Sequence, residues 1–319
     1  MPKKSNQKWL SDQLDFISDL GRRAAEAGGG VSHAYGPHTA LKLAALNHSL
    51  GVFLPIARKQ ITDYGKFDGA VYIDLFAGCG ATRMPESGDW LAGSPILAAG
   101  SRYRFDRIVC MESDPENASA LEARFRLFPD RVCEVMNGDC NVLAPDLKNR
   151  IGLENPLAFV FVDPQGMDLR WETLEALSGQ FPCMDLLLNF PYGAERVLAD
   201  LRTGRELNRQ VMAAFAGTDW PMLLAADRQS VVDFVEAKIS TVLGRPVGDK
   251  VLIRDLGQRP RYFLLFRVRR TLRGSPFFGA YEEMLNRVRG LSPQEVTGVL
   301  NDKFGRSVFS FGDEIEPQP

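Results

Sequence analysis

One strand-to-turn segment restricts the fold of this chain more than any other: VYIDLFAGCGATR, residues 71–83. An apolar run typical of a buried strand reaches Asp74 and then enters a turn through Gly78 and Gly80. Glycines at the carboxyl end of a first strand let the backbone approach a ligand closely. The segment therefore predicts the ligand-binding turn of an α/β sheet.

The rest of the chain supplies further strands for such a sheet. Four more apolar candidates, separated by helical patterns, lie at 107–112, 131–139, 157–164 and 183–191. Two late segments, 251–256 and 261–270, predict a hairpin about Gly257. Continuous apolar strands separated by helices indicate a parallel sheet covered on both faces. We expect a doubly wound, mostly parallel, seven-stranded α/β sheet.

Helical patterns flank this sheet at both ends of the chain. The expected organisation is a helical N-terminal extension at 1–65, a sheet domain at 66–273 with a helical insertion at about 203–243, and C-terminal helices with a polar tail at 274–319. We expect Pro55 to kink or divide the long apolar helix of the extension. Residues 81–93 are expected to form a loop before a helix that Ser94 caps.

Composition is that of a soluble intracellular protein. Hydrophobic residues make up 45% and charged residues 24% of the chain, and the formal net charge of -2 excludes a global basic field. Five cysteines, an odd count without a CxxC, predict reduced thiols rather than disulfides or a zinc site. The N-terminus lacks the apolar core of a signal peptide, and no window is expected to be long enough to cross a membrane. We expect a cytoplasmic protein that binds neither membrane nor metal.

Three acidic residues at the ends of successive predicted strands indicate the ligand. Asp74 suits the cationic amino group of an amino-acid moiety, directly or through water, and its charge repels a pyrophosphate. Glu112 can accept hydrogen bonds from both hydroxyls of a ribose, and Asp139 from an adenine amino group. The set predicts S-adenosylmethionine as the cofactor and S-adenosylhomocysteine as its product.

A dinucleotide cofactor fits less well. Arg83 stands where the third glycine of G-x-G-x-x-G belongs, and Glu112 lies much farther along than the acidic residue of NAD enzymes. Taken singly, Asp74 and Asp139 also have an ordinary explanation as turn residues. Their order along successive strands favours a binding site.

Several motifs together resemble a known family. IDLFAGCG, GSPILAA (93–99), MESDPEN (111–117) and FVDPQG (161–166) are similar to class I methyltransferases and, more narrowly, to the three-Cys-motif partner family (TcmP). The resemblance runs from about residue 39 to the C-terminus. It implies a class I methyltransferase fold, with Phe76 and Cys140 joining Gly78, Gly80 and the three acids around the cofactor. The family name also implies a protein partner.

The acceptor site is expected at the ends of the fourth and fifth strands. Amino-directed methyltransferases carry (D/N)-P-P-(Y/F) there, and Asp163 and Pro164 match this motif, whereas Gln165 and Gly166 depart from it. The fifth strand ends in Asn-Phe-Pro-Tyr, residues 189–192, which offers an amide and two aromatic rings beside Asp163. We expect Asp163, Pro164, Asn189 and Tyr192 to position the acceptor amine, unless the aromatic residue Phe190 packs in the core and Tyr192 only turns the chain.

The sequence therefore predicts a methyltransferase that acts on a base of RNA or DNA. Two other functions stay open: a catalytically silent partner subunit of a complex, and a transferase that moves the aminocarboxypropyl arm of the same cofactor.

His38 and Lys42 are candidates for the pocket wall. Seven arginines lie at positions 254, 259, 261, 267, 269, 270 and 273. They are a candidate contact for phosphates or, alternatively, a solvated surface.

Overall fold

The computed structural model describes residues 5–34, 36–84, 87–191, 206–217, 219, 221–222, 228–255, 257–268 and 276–305. Its strands are β1 His33–Ala34, β2 Ala70–Asp74, β3 Ala81–Arg83, β4 Trp90–Ala92, β5 Arg107–Glu112, β6 Cys133–Asn137, β7 Leu157–Val162, β8 Met184–Pro191, β9 Val247–Arg254 and β10 Pro260–Val268. Its α-helices are α1 Asn6–Ala27, α2 Pro37–Thr62, α3 Ser94–Gly100, α4 Pro115–Phe125, α5 Cys140–Leu143, α6 Leu147–Ile151, α7 Trp171–Gln180, α8 Glu206–Ala216, α9 Arg228–Thr241, α10 Pro276–Arg289 and α11 Pro293–Phe304.

Seven strands form the central sheet in the order β6-β5-β2-β7-β8-β10-β9. The first five strands of this order pair in parallel, whereas β10 is antiparallel to both β8 and β9. The direction of winding reverses between β2 and β7. This is the doubly wound sheet of a class I methyltransferase, so the predicted fold class is confirmed. Ligands of such sheets bind outside the carboxyl ends of the strands, next to the reversal.

Strand β2 shows why the predicted strands are apolar throughout. Tyr72 packs into the hydrophobic cluster beneath α1, α2 and α10, whereas Val71 and Ile73 pack into the cluster beneath α7 and α9. Successive side chains of a strand point to opposite faces. Because both faces are covered by helices, the positions of this strand before Asp74 require apolar side chains.

The helices that precede and follow the sheet meet on one of its faces. Tyr281 of α10 stacks on Phe266 of β10, with 3.8 Å between ring centroids. Asn6 Nδ2 donates to the carbonyl of Gly290 at 3.2 Å, and Gln7 Nε2 donates to Glu295 at 3.1 Å. These contacts join the two terminal helical segments to each other and to the sheet. The two boundaries between the N-terminal extension, the sheet domain and the C-terminal helices stay a prediction.

Helix α2 corrects two expectations. It is continuous from Pro37 to Thr62 with Pro55 inside it, so the division of this helix was wrong. By length and composition it is also apolar enough to cross a membrane, since an 18-residue window has a mean hydropathy of 1.4. However, 67% of that window is buried inside the protein, against α1, α10 and α11. We therefore assign α2 as a core helix.

Residues 81–93 form a hairpin rather than the expected loop. β3 pairs antiparallel with β4 and parallel with β1, which gives a separate three-stranded sheet in the order β1-β3-β4. Helix α3 begins after Gly93, which is its N-cap, so the cap assigned to Ser94 was wrong. The Ser94 side chain instead forms a hydrogen bond with Asp74.

The predicted helical insertion at about 203–243 is described in part. Helices α8 and α9 lie within it and bury Met212, Phe215 and Val235 against the sheet. Residues 192–205, 218, 220 and 223–227 lie outside the described residues.

The guanidinium group of Arg124 ties the N-terminal segment to the glycine turn. Its side chain is fully buried in α4 and donates from Nε to the carbonyl of Ala24 at 3.0 Å, from Nη2 to Val31 at 2.6 Å, and from Nη1 to Cys79 at 2.5 Å. A Cβ atom at Gly28 would lie 2.2 Å from Arg124 Cζ. The glycine segment after α1 therefore makes room for this charge.

We expect Arg124→Met to lower the free energy of unfolding by about 3 kcal/mol, because it leaves three buried carbonyl groups without donors. Urea denaturation measures the change. Arg126→Met, at an exposed position two residues later, is the matched control and is expected to change stability by less than about 0.5 kcal/mol. Equal effects of the two substitutions would contradict this role of Arg124.

Candidate functional site

A cavity of about 930 Å³ opens at the carboxyl ends of the parallel strands, next to the winding reversal. Its wall combines residues at or just after the carboxyl ends of β2, β5, β6 and β7 with Asn189 of β8 and with residues of α2 and β10. Nine of the predicted site residues line it: Phe76, Gly78, Gly80, Glu112, Asp139, Cys140, Asp163, Pro164 and Asn189. Tyr192 lies outside the described residues. The fold thus brings most of the predicted set together.

The glycine turn after β2 requires residues without a Cβ atom. Gly78 and Gly80 have φ angles of 60° and 82°, in the left-handed region. A Cβ atom at Gly80 would also lie 2.7 Å from Leu121 Cδ1. The backbone N–H of Gly93 donates to the carbonyl of Gly80 at 2.8 Å, which packs the start of α3 against the turn.

Asp74 is fully buried and is not part of the cavity wall. Its carboxyl group accepts hydrogen bonds from Tyr72 Oη at 2.9 Å, from the N–H of Phe76 at 3.3 Å and from the Ser94 side chain. Burial raises the pKa of Asp74 to about 7. Since Ser94 does line the cavity, Asp74 reaches the cavity through this hydroxyl group, and its predicted cofactor role stays a prediction.

Glu112 connects the end of β5 to the glycine turn. Its Oε2 accepts from the N–H of Gly78 at 2.7 Å, and its Oε1 accepts from the N–H of Asp114 at 2.8 Å. Each carboxylate oxygen has a second lone pair. Glu112 therefore fixes the turn and keeps acceptor capacity that faces the cavity.

Asn141, which the sequence analysis missed, organises the end of β6. Asp139 Oδ1 caps α5 by accepting from the backbone N–H and from the side chain of Asn141, both at 2.8 Å. The Asn141 amide also donates to the carbonyl of Asp168 and accepts from the N–H of Arg170 and from Thr173. In the sequence, the only signal of this role is that a polar residue, Asn141, directly follows Asp139-Cys140. Asn141 joins the loop after β7 to the helix after β6.

Asp163 and Asn189 are in contact, as the adjacency of β7 and β8 predicted. Asn189 Nδ2 donates to Asp163 Oδ1 at 2.5 Å, and Lys42 of α2 forms an ion pair with Asp163 Oδ2. Asn189 is 5% exposed, and within the described residues its Oδ1 atom has no hydrogen-bond partner. An unpaired buried acceptor costs about 1–3 kcal/mol, so a donor from a ligand is expected there.

Helix α2 and strand β10 form the opposite wall of the cavity. His38, Thr39 and Lys42 lie at the start of α2, and Tyr262 Oη donates to the His38 carbonyl at 2.8 Å. Burial, together with the charges of Lys42 and Arg261, lowers the pKa of His38 to about 4, so the imidazole is neutral at pH 7. Thr39 Oγ1 is another buried polar atom without a partner in the described part of the chain. His38 and Lys42 thus lie where the sequence analysis placed them.

His33 of β1 lies against the glycine turn. A Cβ atom at Gly78 would be 3.2 Å from His33 Nε2, and a hydrogen bond with Cys79 raises the pKa of His33. Burial raises the pKa of the Cys79 thiol, but its hydrogen bonds with His33 and with the Ala81 backbone, and the charge of Arg124, leave the pKa below its ordinary value. The N-terminal segment therefore contributes to the floor of the cavity.

Two candidates from the sequence lie outside the cavity wall. Phe190 packs against Phe215 in the core, with 5.5 Å between ring centroids. Arg267 is 8% exposed and forms an ion pair with Glu236, so for this residue neither the candidate phosphate contact nor the alternative of a solvated surface is correct. Arg269, Arg270 and Arg273 lie outside the described residues, whereas Arg261 lines the cavity and pairs with Asp255 at 2.8 Å.

Comparisons with known proteins show weak structural similarities. No protein-family model matches this sequence, and no curated protein matches it. Protein LPL1258 from Legionella pneumophila is 11% identical, with a TM-score of 0.44 over 77% of this chain and 92% of that chain. Trm1 from Pyrococcus horikoshii, in complex with S-adenosylmethionine, is 14% identical, with a TM-score of 0.38 over 78% of this chain and 58% of that chain. An O-methyltransferase from Bacillus cereus in complex with SAH is 15% identical, with a TM-score of 0.38 over 84% of this chain and 93% of that chain. The fold assignment rests on the strand order of this chain.

We expect Gly80→Ala to destabilise the protein by more than Gly30→Ala. Both glycines have positive φ angles, 82° and 85°, but a Cβ atom at Gly30 meets nothing within 4 Å whereas one at Gly80 collides with Leu121. A positive φ angle alone costs alanine about 1 kcal/mol of stability relative to glycine. Any larger loss of stability in Gly80→Ala therefore comes from the collision with Leu121. Thermal unfolding of the two variants gives the comparison, and equal melting temperatures would show that the turn has room.

Asp74 makes stability dependent on pH. Its folded pKa of about 7 exceeds the ordinary value of 3.8, so between these values the folded state binds a proton that the unfolded state has released. Stability therefore falls as pH rises through this window, by up to about 1.4 kcal/mol per pH unit. We expect Asp74→Asn to flatten the fall in urea-unfolding free energy between about pH 4.5 and pH 7. Asp185, whose pKa burial also raises to about 7, leaves part of the slope in the variant. An unchanged slope would contradict the assignment.

Proposed function

We propose that this protein is an S-adenosylmethionine-dependent methyltransferase that modifies an amino group of a nucleic-acid base, and that it belongs to the three-Cys-motif partner family in the cytoplasm. The observation that carries the proposal is the arrangement of one cavity. Carboxylates line its end at the glycine turn, and Asn189, whose buried Oδ1 atom has no hydrogen-bond partner among the described residues, lines its other end.

The end of the cavity beside the glycine turn suits a cationic nucleoside. Glu112, Asp114, Asp139 and Asp168 line it, with Arg170 beside them. This excess of negative charge repels a pyrophosphate and attracts an ammonium or sulfonium group. In this proposal Glu112 accepts hydrogen bonds from ribose hydroxyls and Asp139 accepts one from an adenine amino group. The donor set therefore fits S-adenosylmethionine.

Two buried hydroxyl groups complete the fit for the amino-acid moiety. Thr39 Oγ1 is within the cavity wall and has no partner among the described residues, so it offers a donor to a carboxylate. Ser94 lies between Asp74 and the cavity. In this proposal Asp74 acts on the cofactor ammonium through Ser94 or a water molecule.

At the acceptor end, the residues of this chain bind and orient an amine. When bound, S-adenosylmethionine would supply an electrophilic methyl group: a nitrogen–carbon bond would form as the sulfur–carbon bond breaks, S-adenosylhomocysteine would leave, and the amine would release one proton to solvent. Asn189 Oδ1 accepts a hydrogen bond from that amine, and Pro164 borders it at the end of β7. Alignment of the nitrogen with the methyl group supplies most of the rate. Tyr262, Phe161 and neutral His38 give this end apolar and aromatic surfaces that suit a base.

We expect calorimetry to detect S-adenosylhomocysteine binding to the wild-type protein, and Glu112→Ala to weaken it by at least about tenfold, or 1.4 kcal/mol. The substitution removes the ribose acceptor and frees the N–H of Gly78. Glu116→Ala, at an exposed position four residues later, is the matched control and is expected to bind normally. Absence of both binding heat and a thermal shift would refute the methyltransferase proposal and favour the silent partner subunit.

The acceptor class is tested with tritium-labelled S-adenosylmethionine and pools of RNA, DNA and protein. Label in RNA or DNA supports the proposal, and label in protein alone contradicts it. The mass of the product separates methyl transfer from aminocarboxypropyl transfer.

A further inference from the structure

Lys42 contacts Asp163 from outside the strands that build the acceptor site. It lies on α2, is 8% exposed, and its ammonium group pairs with Asp163 Oδ2. The ammonium also lies 5.9 Å from the centroid of the Tyr262 ring. The Tyr262 hydroxyl in turn donates to the carbonyl of His38, one helical turn before Lys42. Lys42 is therefore held by packing as well as by charge.

Each oxygen of the Asp163 carboxylate has its own partner. Oδ2 faces the Lys42 ammonium and Oδ1 accepts from Asn189 Nδ2 at 2.5 Å. The ion pair fixes the rotation of the carboxylate, because turning it would break both contacts. Both carboxylate oxygens of Asp163 therefore already have a donor before a target amine binds.

The carboxylate also fixes the polarity of the Asn189 amide. An ionised carboxylate only accepts hydrogen bonds, so the Nδ2 group of Asn189 must face it. The Oδ1 atom then faces away, and it is the atom without a partner in the described structure. With the amide in this orientation, Oδ1 can pair with a ligand N–H group but not with a ligand carbonyl oxygen.

We propose that Lys42 is a positioning residue for specificity: through Asp163 it holds the Asn189 amide so that the site accepts bases with an exocyclic amino group and rejects bases with a carbonyl oxygen at that place. The inference rests on the proposed function for the identity of the ligand. The positioning of Asn189 by Lys42 and Asp163 involves only residues of this chain. Without the ammonium, the carboxylate loses the contact that fixes its rotation and can turn away from Asn189, and only then is the amide free to turn over.

The first experiment observes the side-chain amide of Asn189 by NMR in the ligand-free protein. In ¹H–¹⁵N spectra, the side-chain NH₂ signals of Asn189 are assigned by their loss in Asn189→Asp. We expect Lys42→Met to shift or broaden these signals and Lys42→Arg, which keeps the charge, to retain them near their wild-type positions. Thermal unfolding checks that each variant is folded. Signals that are identical in wild type and folded Lys42→Met would overturn the inference.

The second experiment measures specificity with poly(A), poly(C), poly(U) and poly(I) in the presence of S-adenosylhomocysteine. We expect the wild type and Lys42→Arg to bind the amino-bearing polymers poly(A) or poly(C) at least about tenfold more tightly than the carbonyl-bearing poly(U) and poly(I). In Lys42→Met this ratio is expected to fall to about threefold or less. An equal ratio in wild type and Lys42→Met would overturn the role in specificity.

The two experiments separate the failure of this inference from the failure of the proposed function. A change in the Asn189 signals without binding of any polymer contradicts the nucleic-acid acceptor and leaves the positioning by Lys42 supported. Polymer binding with unchanged signals supports the acceptor class and contradicts the positioning.

Discussion

The site depends on one buried charge, the guanidinium group of Arg124. Three backbone carbonyls, those of Ala24, Val31 and Cys79, surround it, and each belongs to a different segment. Hydrogen bonds to a charged group are among the stronger ones in a protein interior. Because the guanidinium joins α1 and the segment after it to the glycine turn, the chain enters α2 beside the ligand cavity. The contributions of His33, Thr39 and Lys42 to the cavity wall follow from this connection.

The cavity differs in charge and in hydrogen-bonding capacity between its two ends. Carboxylates at the ends of β5 and β6 dominate near the glycine turn, and their remaining acceptor capacity faces inward. The other end has an ion pair, Lys42–Asp163, whose charges offset each other, and the Asn189 amide oxygen, which has no partner in the part of the chain that the structure describes. A cationic nucleoside at the first end and a neutral amine at the second fit these properties. Together they support methyl transfer to nitrogen.

Local patterns in the sequence predicted the sheet well, because the inner strands of a sheet covered on both faces are mainly apolar runs. The errors arose where a contact distant in sequence decided the outcome. Residues 81–93 became a hairpin because β1, about fifty residues earlier, pairs with β3. Ser94 left its expected capping position to bond with Asp74. Pro55 did not divide α2, whose neighbours α1, α10 and α11 pack along it.

The sequence by itself determined where the strands lie along the chain and which acids stand at their carboxyl ends. Both features depend on periodicity and on turn residues within a few positions of each other. It also placed Asp163 next to Asn189, because the strands that end in them are adjacent. Only the tertiary structure decided that Asp74 is buried behind Ser94, and that Lys42 reaches Asp163 across 121 residues of chain. These outcomes depend on the packing of α1 and α2 against the sheet, which the glycine-rich segment and the buried Arg124 make possible.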